Sequence, residues 1–162
     1  MPDAFHHTAY LVRDIETTAQ KLADSLNVGP WNIWTIAPKE CRVHGVETEF
    51  SFRVALMTVG GGTVELVTPL AGHSVFAEHL AKHGEGFHHA CFVYPSLAAV
   101  GEARAELRRQ GREIIQEGIT PGFFDFAYAY FPELGSLIEV LHLDAAQLPE
   151  PDVVIQPREI RI

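Results

Sequence analysis

The chain of 162 residues contains the stretch Phe5-His6-His7-Thr8-Ala9 and, 82 positions later, the closely similar stretch Phe87-His88-His89-Ala90-Cys91. Each stretch is followed by a segment of helix length with apolar residues at helical spacing, over residues 14–27 and 96–110. Self-similarity at a fixed distance is the signature of a duplicated structural unit. The sequence therefore predicts two copies of one supersecondary unit.

Both helical segments begin at a residue whose side chain can cap a first helical turn, Asp14 and Ser96. Runs rich in β-branched and aromatic residues then predict three further strands in each copy. These strands cover residues 31–36, 49–59 and 63–68 in the first copy and residues 113–116, 124–131 and 136–143 in the second. We predict an α+β fold of two βαβββ modules in one domain, with curved mixed sheets enclosing a cavity.

The predicted domain covers residues 1–145. Module one spans about 5–70, a connecting helix spans about 74–83, and module two spans about 86–143. Residues 146–162 form a C-terminal tail that contains several prolines. Within this tail, residues 153–155 are expected to form a small edge strand or an arm that contacts a partner.

Charge and cysteine content exclude several classes of protein. Twelve Lys and Arg against 21 Asp and Glu give a net charge of −9, and no basic patch is present that would bind a nucleic-acid backbone. No stretch approaches the roughly 18 consecutive apolar residues of a membrane span. The two cysteines, Cys41 and Cys91, form no paired motif, and the first residues do not resemble a signal peptide. We expect a cytoplasmic protein.

Histidines and glutamates at matching points of the repeat predict a metal site. Neighbouring side chains in a strand point to opposite faces, so one histidine of each pair, His6 or His7 and His88 or His89, can enter a shared cavity. Glu65 and Glu139 interrupt the apolar last strand of each module, and a buried carboxylate is costly unless it is paired or bound to a metal. Two imidazoles and two carboxylates suit a divalent transition metal with open coordination positions.

The histidine and glutamate blocks, residues 7–15, 84–92 and 137–140, resemble those of the vicinal oxygen chelate superfamily. This superfamily includes glyoxalase I, methylmalonyl-CoA epimerase, extradiol dioxygenases and bleomycin-resistance proteins, and the similarity is greatest to the first two. The resemblance implies a homodimer and one divalent metal ion per chain, Zn, Ni, Co, Mn or Fe. The implied metal ligands are His7, Glu65, His89 and Glu139.

The resemblance also implies a metal-dependent isomerase, epimerase or lyase that forms an enolate from a small carbonyl substrate. In such chemistry the metal stabilises the negative charge while a carboxylate moves the proton. Candidates for that base are Glu47 and Glu49 near the third strand of module one, and the metal-binding Glu65 and Glu139. The sequence does not distinguish among these four.

An aromatic run over residues 123–130 indicates that the substrate is apolar or aromatic, because CoA phosphates or glutathione carboxylates favour Arg and Lys. The residues expected to bind this substrate are Trp34, Phe124, Tyr128 and Tyr130. Two alternatives stay open: a protein that sequesters an apolar ligand without chemistry, and an Fe(II)-dependent dioxygenase that uses His7, His89 and Glu139. A competing motif, His79 and His83 at helical spacing, predicts a second metal site only weakly.

Overall fold

The computed structural model describes residues 1–158, which form eleven β-strands and three α-helices. Module one contains β1 (Ala4–Leu11), α1 (Ile15–Leu26), β2 (Trp31–Ile36), β3 (Glu40–Val43), β4 (Val46–Glu47), β5 (Phe50–Val59) and β6 (Gly62–Gly72). After α2 (Val75–His83), module two contains β7 (Gly86–Val93), α3 (Leu97–Arg109), β8 (Ile114–Thr120), β9 (Phe124–Phe131) and β10 (Ser136–Leu143). A short 3-10 helix (Ala145–Gln147) and β11 (Val153–Ile155) follow. Within residues 1–158, none of the helices is both long and apolar enough to span a bilayer.

All eleven strands form one curved sheet, in the order β11-β2-β5-β6-β1-β7-β10-β9-β8-β3-β4. The first strands of the two modules, β1 and β7, pair antiparallel at the centre, and β3 and β4 of module one lie beyond β8, at the outer edge of the module-two half. In both halves the first strand pairs in parallel with the last strand of its own module, β6 or β10. The predicted α+β fold and its duplicated modules are confirmed.

Side-chain caps define where the helices begin. Asp14 accepts a hydrogen bond from the amide of Thr17 at the start of α1, and Ser96 accepts one from the amide of Ala99 at the start of α3. The apolar side of α1 packs on β5, β6 and β11, while α3 packs on β8, β9 and β10. The two helices therefore cover the same face of the sheet. Helix α1 lies over the module-one half and α3 over the module-two half.

The opposite sheet face carries the largest apolar cluster. Strand alternation separates the two faces: Leu66 packs with the α1 cluster, whereas the next residue, Val67, packs with the opposite cluster. This second cluster contains Phe52 from module one and Tyr128 from module two, with Phe76 of α2 between them. The helix between the modules thus fills part of the space that the curved sheet encloses.

A short hairpin formed by β3 and β4 was not expected from the sequence. Its turn residues, His44 and Gly45, have φ angles of 49° and 79°, the backbone conformation that tight two-residue hairpins require. Cys41 and Val43 alternate into the core, and β3 pairs with β8 of module two. Module one therefore contacts module two at the outer edge of the sheet as well as at its centre.

The C-terminal tail is attached to module one. Strand β11 pairs with β2, the carboxylate of Asp152 accepts a hydrogen bond from the amide of Thr35, and the Trp34 indole donates one to the carbonyl of Pro149. Residues 159–162 of the expected tail lie outside the described residues. The edge strand over residues 153–155 is present, and it covers the edge of module one.

Replacement of Gly72 by alanine is expected to lower the free energy of unfolding by about 2–3 kcal/mol. Gly72 has a φ of 77°, and a Cβ atom there would overlap the carbonyl oxygen of Glu49 and lie 2.8 Å from Cα of Phe50. Gly61 is a matched control, because its φ is 80° but nothing lies within 4 Å of the added atom. Gly61→Ala should cost about 1 kcal/mol, the strain of the left-handed conformation alone. Urea unfolding measures both values, and equal losses would show that the overlap is relieved without cost.

Candidate metal centre

Four side chains from the central strands meet on the sheet face opposite α1 and α3. His7 and His89 occupy equivalent positions on β1 and β7. Glu65 on β6 lies opposite Ala9, and Glu139 on β10 lies opposite Cys91. Ala9 and Cys91 each lie two residues after the histidine of their module, so the two carboxylates occupy equivalent positions. The repeat in the sequence thus becomes a pseudo-twofold arrangement in space. We call His7, Glu65, His89 and Glu139 the tetrad.

The donor atoms of the tetrad are close to one another. The two imidazole Nε2 atoms are 3.2 Å apart. Glu65 Oε2 lies 3.3 Å from Nε2 of His7 and 3.5 Å from Nε2 of His89, and Glu139 Oε2 lies 3.3 Å and 3.2 Å from the same two atoms. All four residues are at most 8% exposed. The structure therefore brings together all four residues of the predicted ligand set.

The tetrad has the geometry of a metal site. Ligand atoms about 2.1 Å from one ion are about 3.0–3.4 Å apart, which matches the observed separations. Glu139 Oε2 is buried within 3.3 Å of two imidazole nitrogens and has no hydrogen-bond partner among the described residues. His7, Glu65 and His89 also form a group whose ligand atoms all lie within 4.8 Å of one another. The residues fit a divalent ion.

Electrostatics support this fit. Burial disfavours the charged form of His7, but the carboxylates of Glu65 and Glu139 outweigh burial and raise the pKa of His7 to about 10. Burial alone would raise the pKa of Glu139, but the imidazoles of His7 and His89 hold that pKa well below its usual range. The buried carboxylates thus attract positive charge to the centre. A divalent cation would take the place of the proton on His7.

A second group of potential ligands, His6, His7 and Cys91, also has its donor atoms within 4.8 Å of one another. Cys91 is fully buried, and burial together with the charge of Glu139 raises the pKa of its thiol well above the usual range. Metals bind the thiolate rather than the thiol. The tetrad is therefore the better donor set, and Cys91 fills space beside it.

An apolar cavity of about 90 Å³ opens beside the tetrad. Three of the aromatic residues that the sequence indicated, Trp34, Phe124 and Tyr128, line it. The other lining residues are His6, His7, Ile36, Phe52, Val54, Leu56, Glu65, Phe123, Phe126, Glu139, Leu141, Leu143 and Leu148. Within the described part of the chain, no lysine or arginine belongs to this lining. The cavity is an apolar pocket with the metal-site residues at its polar end.

Tyr130 does not line this cavity. It follows Tyr128 on the same face of β9, but it pairs with Leu137 near the start of β10 and is 46% exposed. Burial raises the pKa of Tyr128 well above its usual range, so this phenol stays protonated beside the tetrad. Alternation along β9 predicts the face of both tyrosines, but not how far the cavity extends.

Glu47 and Glu49, two of the four candidate bases, lie in a different groove. Both are exposed, and they line a groove of about 650 Å³ between the β3–β4 hairpin and module two, together with Arg104 and Asp125. Glu47 forms an exposed ion pair with Arg42. The structure does not bring either carboxylate to the tetrad, because β3 pairs with β8 at the edge of module two and β4 pairs with β3. Glu65 and Glu139 line the tetrad cavity instead.

His6 and His88 were expected to face away from their neighbours, and the structure differs. The Nδ1 atoms of His6 and His7 are 2.7 Å apart, and those of His88 and His89 are 2.8 Å apart. Burial, with the neighbouring imidazole, lowers the pKa of both His6 and His88. The pairing register of β1 and β7 shifts at these positions, so the regular alternation on which the expectation rested is interrupted there.

One residue of the cavity carries no local signal in the sequence, and one motif that the sequence offered does not form a site. Leu148, in the irregular tail, lines the tetrad cavity because β11 holds the tail against β2. The rings of His79 and His83 are 5.0 Å apart on α2, but among residues 1–158 neither belongs to a group whose donor atoms lie within 4.8 Å of one another. The competing helical motif is therefore not assembled as a metal site.

Comparison with known proteins identifies the family. Residues 6–130 match the family model of the Glyoxalase/Bleomycin resistance protein/Dioxygenase superfamily. None of the curated proteins matches the chain.

Solved structures with a similar fold include a hypothetical protein from Bacillus halodurans C-125, with 20% identity, a TM-score of 0.63 and coverage of 91% of this chain and 98% of that one. Methylmalonyl-CoA epimerase from Mycobacterium tuberculosis shows 20% identity, a TM-score of 0.60 and coverage of 90% and 91%. A variant of the Streptomyces coelicolor epimerase in complex with 2-nitronate-propionyl-CoA shows 19% identity, a TM-score of 0.62 and coverage of 92% and 100%. At these identities the structures establish the fold, and with the family match they lead to one conclusion: the chain belongs to the Glyoxalase/Bleomycin resistance protein/Dioxygenase superfamily.

Proposed function

We propose that the protein is a metal-dependent isomerase or epimerase that moves a proton at the carbon next to the carbonyl group of a small apolar substrate. One observation carries this proposal. Two imidazole nitrogens and two carboxylate oxygens, all buried, lie within 3.5 Å of their neighbours at the polar end of an apolar cavity.

The tetrad residues His7, Glu65, His89 and Glu139 would hold one divalent ion. When bound, that ion would stabilise the negative charge that develops on a substrate oxygen as the neighbouring carbon loses a proton. The sheet contributes rigidity, because each ligand lies on a central strand with a neighbour on both sides. The site is therefore preorganised for charge stabilisation.

Glu65 and Glu139 are the only carboxylates among residues 1–158 that line the cavity, so we assign proton transfer to this pair. Each presents one oxygen, Oε2, to the shared centre, which leaves the second oxygen of the carboxylate for the substrate. Tyr128 lies with its ring centroid 4.8 Å from that of His89 and, as a protonated phenol, can donate a hydrogen bond into the site.

The substrate class follows from the lining. A carboxylate or phosphate inside a cavity without lysine or arginine would lose its hydration without gaining a cationic partner. Aliphatic and aromatic side chains from both modules, such as Ile36, Phe52 and Leu141, instead favour an alkyl or aryl group. We therefore propose a compact apolar carbonyl compound as the substrate.

Hydrogen–deuterium exchange at the carbon next to the carbonyl tests this function. Protein loaded with Zn, Ni, Co, Mn or Fe(II) is incubated in D2O with small alkyl or aryl ketones and thioesters, and exchange is followed by NMR. We expect exchange with at least one loaded metal. Glu65→Gln or Glu139→Gln should reduce it by about 100-fold or more, since proton transfer by a positioned group contributes at least that factor.

Glu47→Gln and Glu49→Gln are matched controls, because both carboxylates lie in the separate groove. They should leave exchange unchanged. Binding of apolar compounds without exchange under every metal would contradict the proposal and favour a ligand-sequestering protein. Oxygen consumption by the Fe(II) form with catechols would favour a dioxygenase.

A further inference from the structure

Each tetrad histidine has a second histidine immediately before it in the chain. The Nδ1–Nδ1 distance is 2.7 Å for His6 and His7 and 2.8 Å for His88 and His89. The two pairs are 82 residues apart, as are the tetrad histidines themselves. The same contact is thus built twice, once in each module.

The backbone makes these contacts possible. Phe5 and His7 on β1 pair with Phe92 and Cys91, which are adjacent residues on β7. His6 therefore has no partner in the pairing and is the extra residue of a β-bulge. At the other end of the pairing the roles are exchanged: Ala9 and Tyr10 are adjacent on β1 but pair with His89 and Phe87, so His88 is the extra residue. A bulge re-aims the side chain of the extra residue. Without the bulges, each neighbouring pair would face opposite sides of the sheet.

The chemistry of a metal-binding imidazole sets the direction of each hydrogen bond. Nε2 of His7 and Nε2 of His89 lie at the tetrad centre, where a ligand nitrogen must present its lone pair. The proton of such a neutral imidazole is on Nδ1, and it is donated across the short contact. The preceding histidine must then accept at its own Nδ1, with its proton on Nε2.

His88 lies in a buried and mostly aromatic environment. It is 3% exposed and lies against the rings of Phe76, His79 and Tyr128, at centroid distances of 5.4, 5.0 and 5.9 Å. Its Nε2 atom is buried and has no hydrogen-bond partner. The contact with His89 is therefore the one polar interaction that its side chain makes within the described chain. His6 is less buried and lines the tetrad cavity.

We propose that His6 and His88 are positioning residues for the metal: each accepts the Nδ1 proton of the adjacent tetrad histidine and thereby fixes the tautomer and ring orientation in which Nε2 faces the ion. This inference rests on the proposed metal function. A partner of this kind changes metal affinity by about 10–100-fold when it is lost. We expect the larger effect at His88, because its ring is held on three sides.

Paired substitutions test the proposal. His88→Leu and His6→Leu remove the acceptor, whereas His88→Asn and His6→Asn retain an acceptor oxygen close to the position of Nδ1. Metal affinity is measured by competition with a chromophoric chelator, using Zn(II) and Co(II), and the Co(II) absorption spectrum reports ligand geometry. Circular dichroism of the metal-free variants shows whether each is folded. His83→Leu, on the exposed side of α2, is the control.

We expect the leucine variants to lose about 10–100-fold in affinity with a shifted Co(II) spectrum, and the asparagine variants to recover most of both. Wild-type affinity in folded His88→Leu and His6→Leu would overturn the inference and leave the metal site standing. Equal losses in the leucine and asparagine variants would also overturn it, since packing rather than hydrogen bonding would then be responsible. A wild-type protein that binds neither ion would overturn the proposed function, and this inference with it.

Discussion

Replacement of His89 by alanine is expected to reduce bound divalent metal from about one ion per chain to a small fraction of that, with loss of turnover. His89 is fully buried, and its Nε2 atom lies 3.2 Å from Nε2 of His7 and 3.2 Å from Oε2 of Glu139. Its loss removes one of four donors and leaves two carboxylates that share a single imidazole. Because loss of a supporting residue alone costs up to about 100-fold in affinity, loss of a ligand should exceed that factor.

Elemental analysis of protein purified without an affinity tag or chelator measures this effect. His89→Gln is a second variant that fills more of the vacated volume, and it should also fail to hold stoichiometric metal. His83→Ala is the matched control, since it removes an exposed histidine that lies outside the tetrad. Stoichiometric metal in folded His89→Ala would show that the ion is held elsewhere.

Replacement of Phe76 by alanine is expected to lower the free energy of unfolding by about 3–5 kcal/mol. Phe76 is fully buried on α2, and its ring lies 5.0 Å from that of Phe52 and 5.7 Å from that of Tyr128. The substitution leaves a cavity between the two modules that neither half of the sheet can fill by itself. The loss should therefore fall near the upper end for a buried aromatic residue.

Urea unfolding of the metal-free protein measures this loss. Leu26→Ala, at the 64% exposed last residue of α1, is the control and should change stability by less than about 0.5 kcal/mol. Phe76 also contacts His88, at a centroid distance of 5.4 Å, so the variant should bind metal more weakly under conditions in which it is folded. A loss in Phe76→Ala no larger than that in Leu26→Ala would contradict the packing described for this cluster.

Much of the site could be predicted because the two copies of the repeat show which residues are equivalent. Helix caps such as Asp14 and Ser96 are local signals, and a glutamate within an apolar strand is conspicuous at Glu65 and Glu139. If the two modules pack by a pseudo-twofold, the two glutamates and one histidine of each pair are expected to meet. The repeat leaves open which histidine of each pair enters the site, and the set His7, Glu65, His89 and Glu139 is implied by the family resemblance.

Other features depend on interactions that a single sequence does not specify. The bulges at His6 and His88 reflect how β1 and β7 pair, which no residue of either strand encodes alone. Glu49 faces a separate groove because β3 of the β3–β4 hairpin pairs with β8. This pairing depends on an open edge of module two. The turn at His44 and Gly45 is the one local signal that could have revealed the hairpin.

The division of the tetrad between modules also affects the order of folding. Module one supplies one imidazole and one carboxylate, module two supplies the other two, and they meet only when β1 pairs with β7. That pairing and the β3–β8 pairing join residues far apart in the chain, such as Ala9 with His89 and Cys41 with Gly118, and such contacts form slowly. A complete site thus appears only in the step that docks the two halves. An ion that binds this site stabilises the docked state over the separate halves, so metal supply and assembly of the chain are thermodynamically linked.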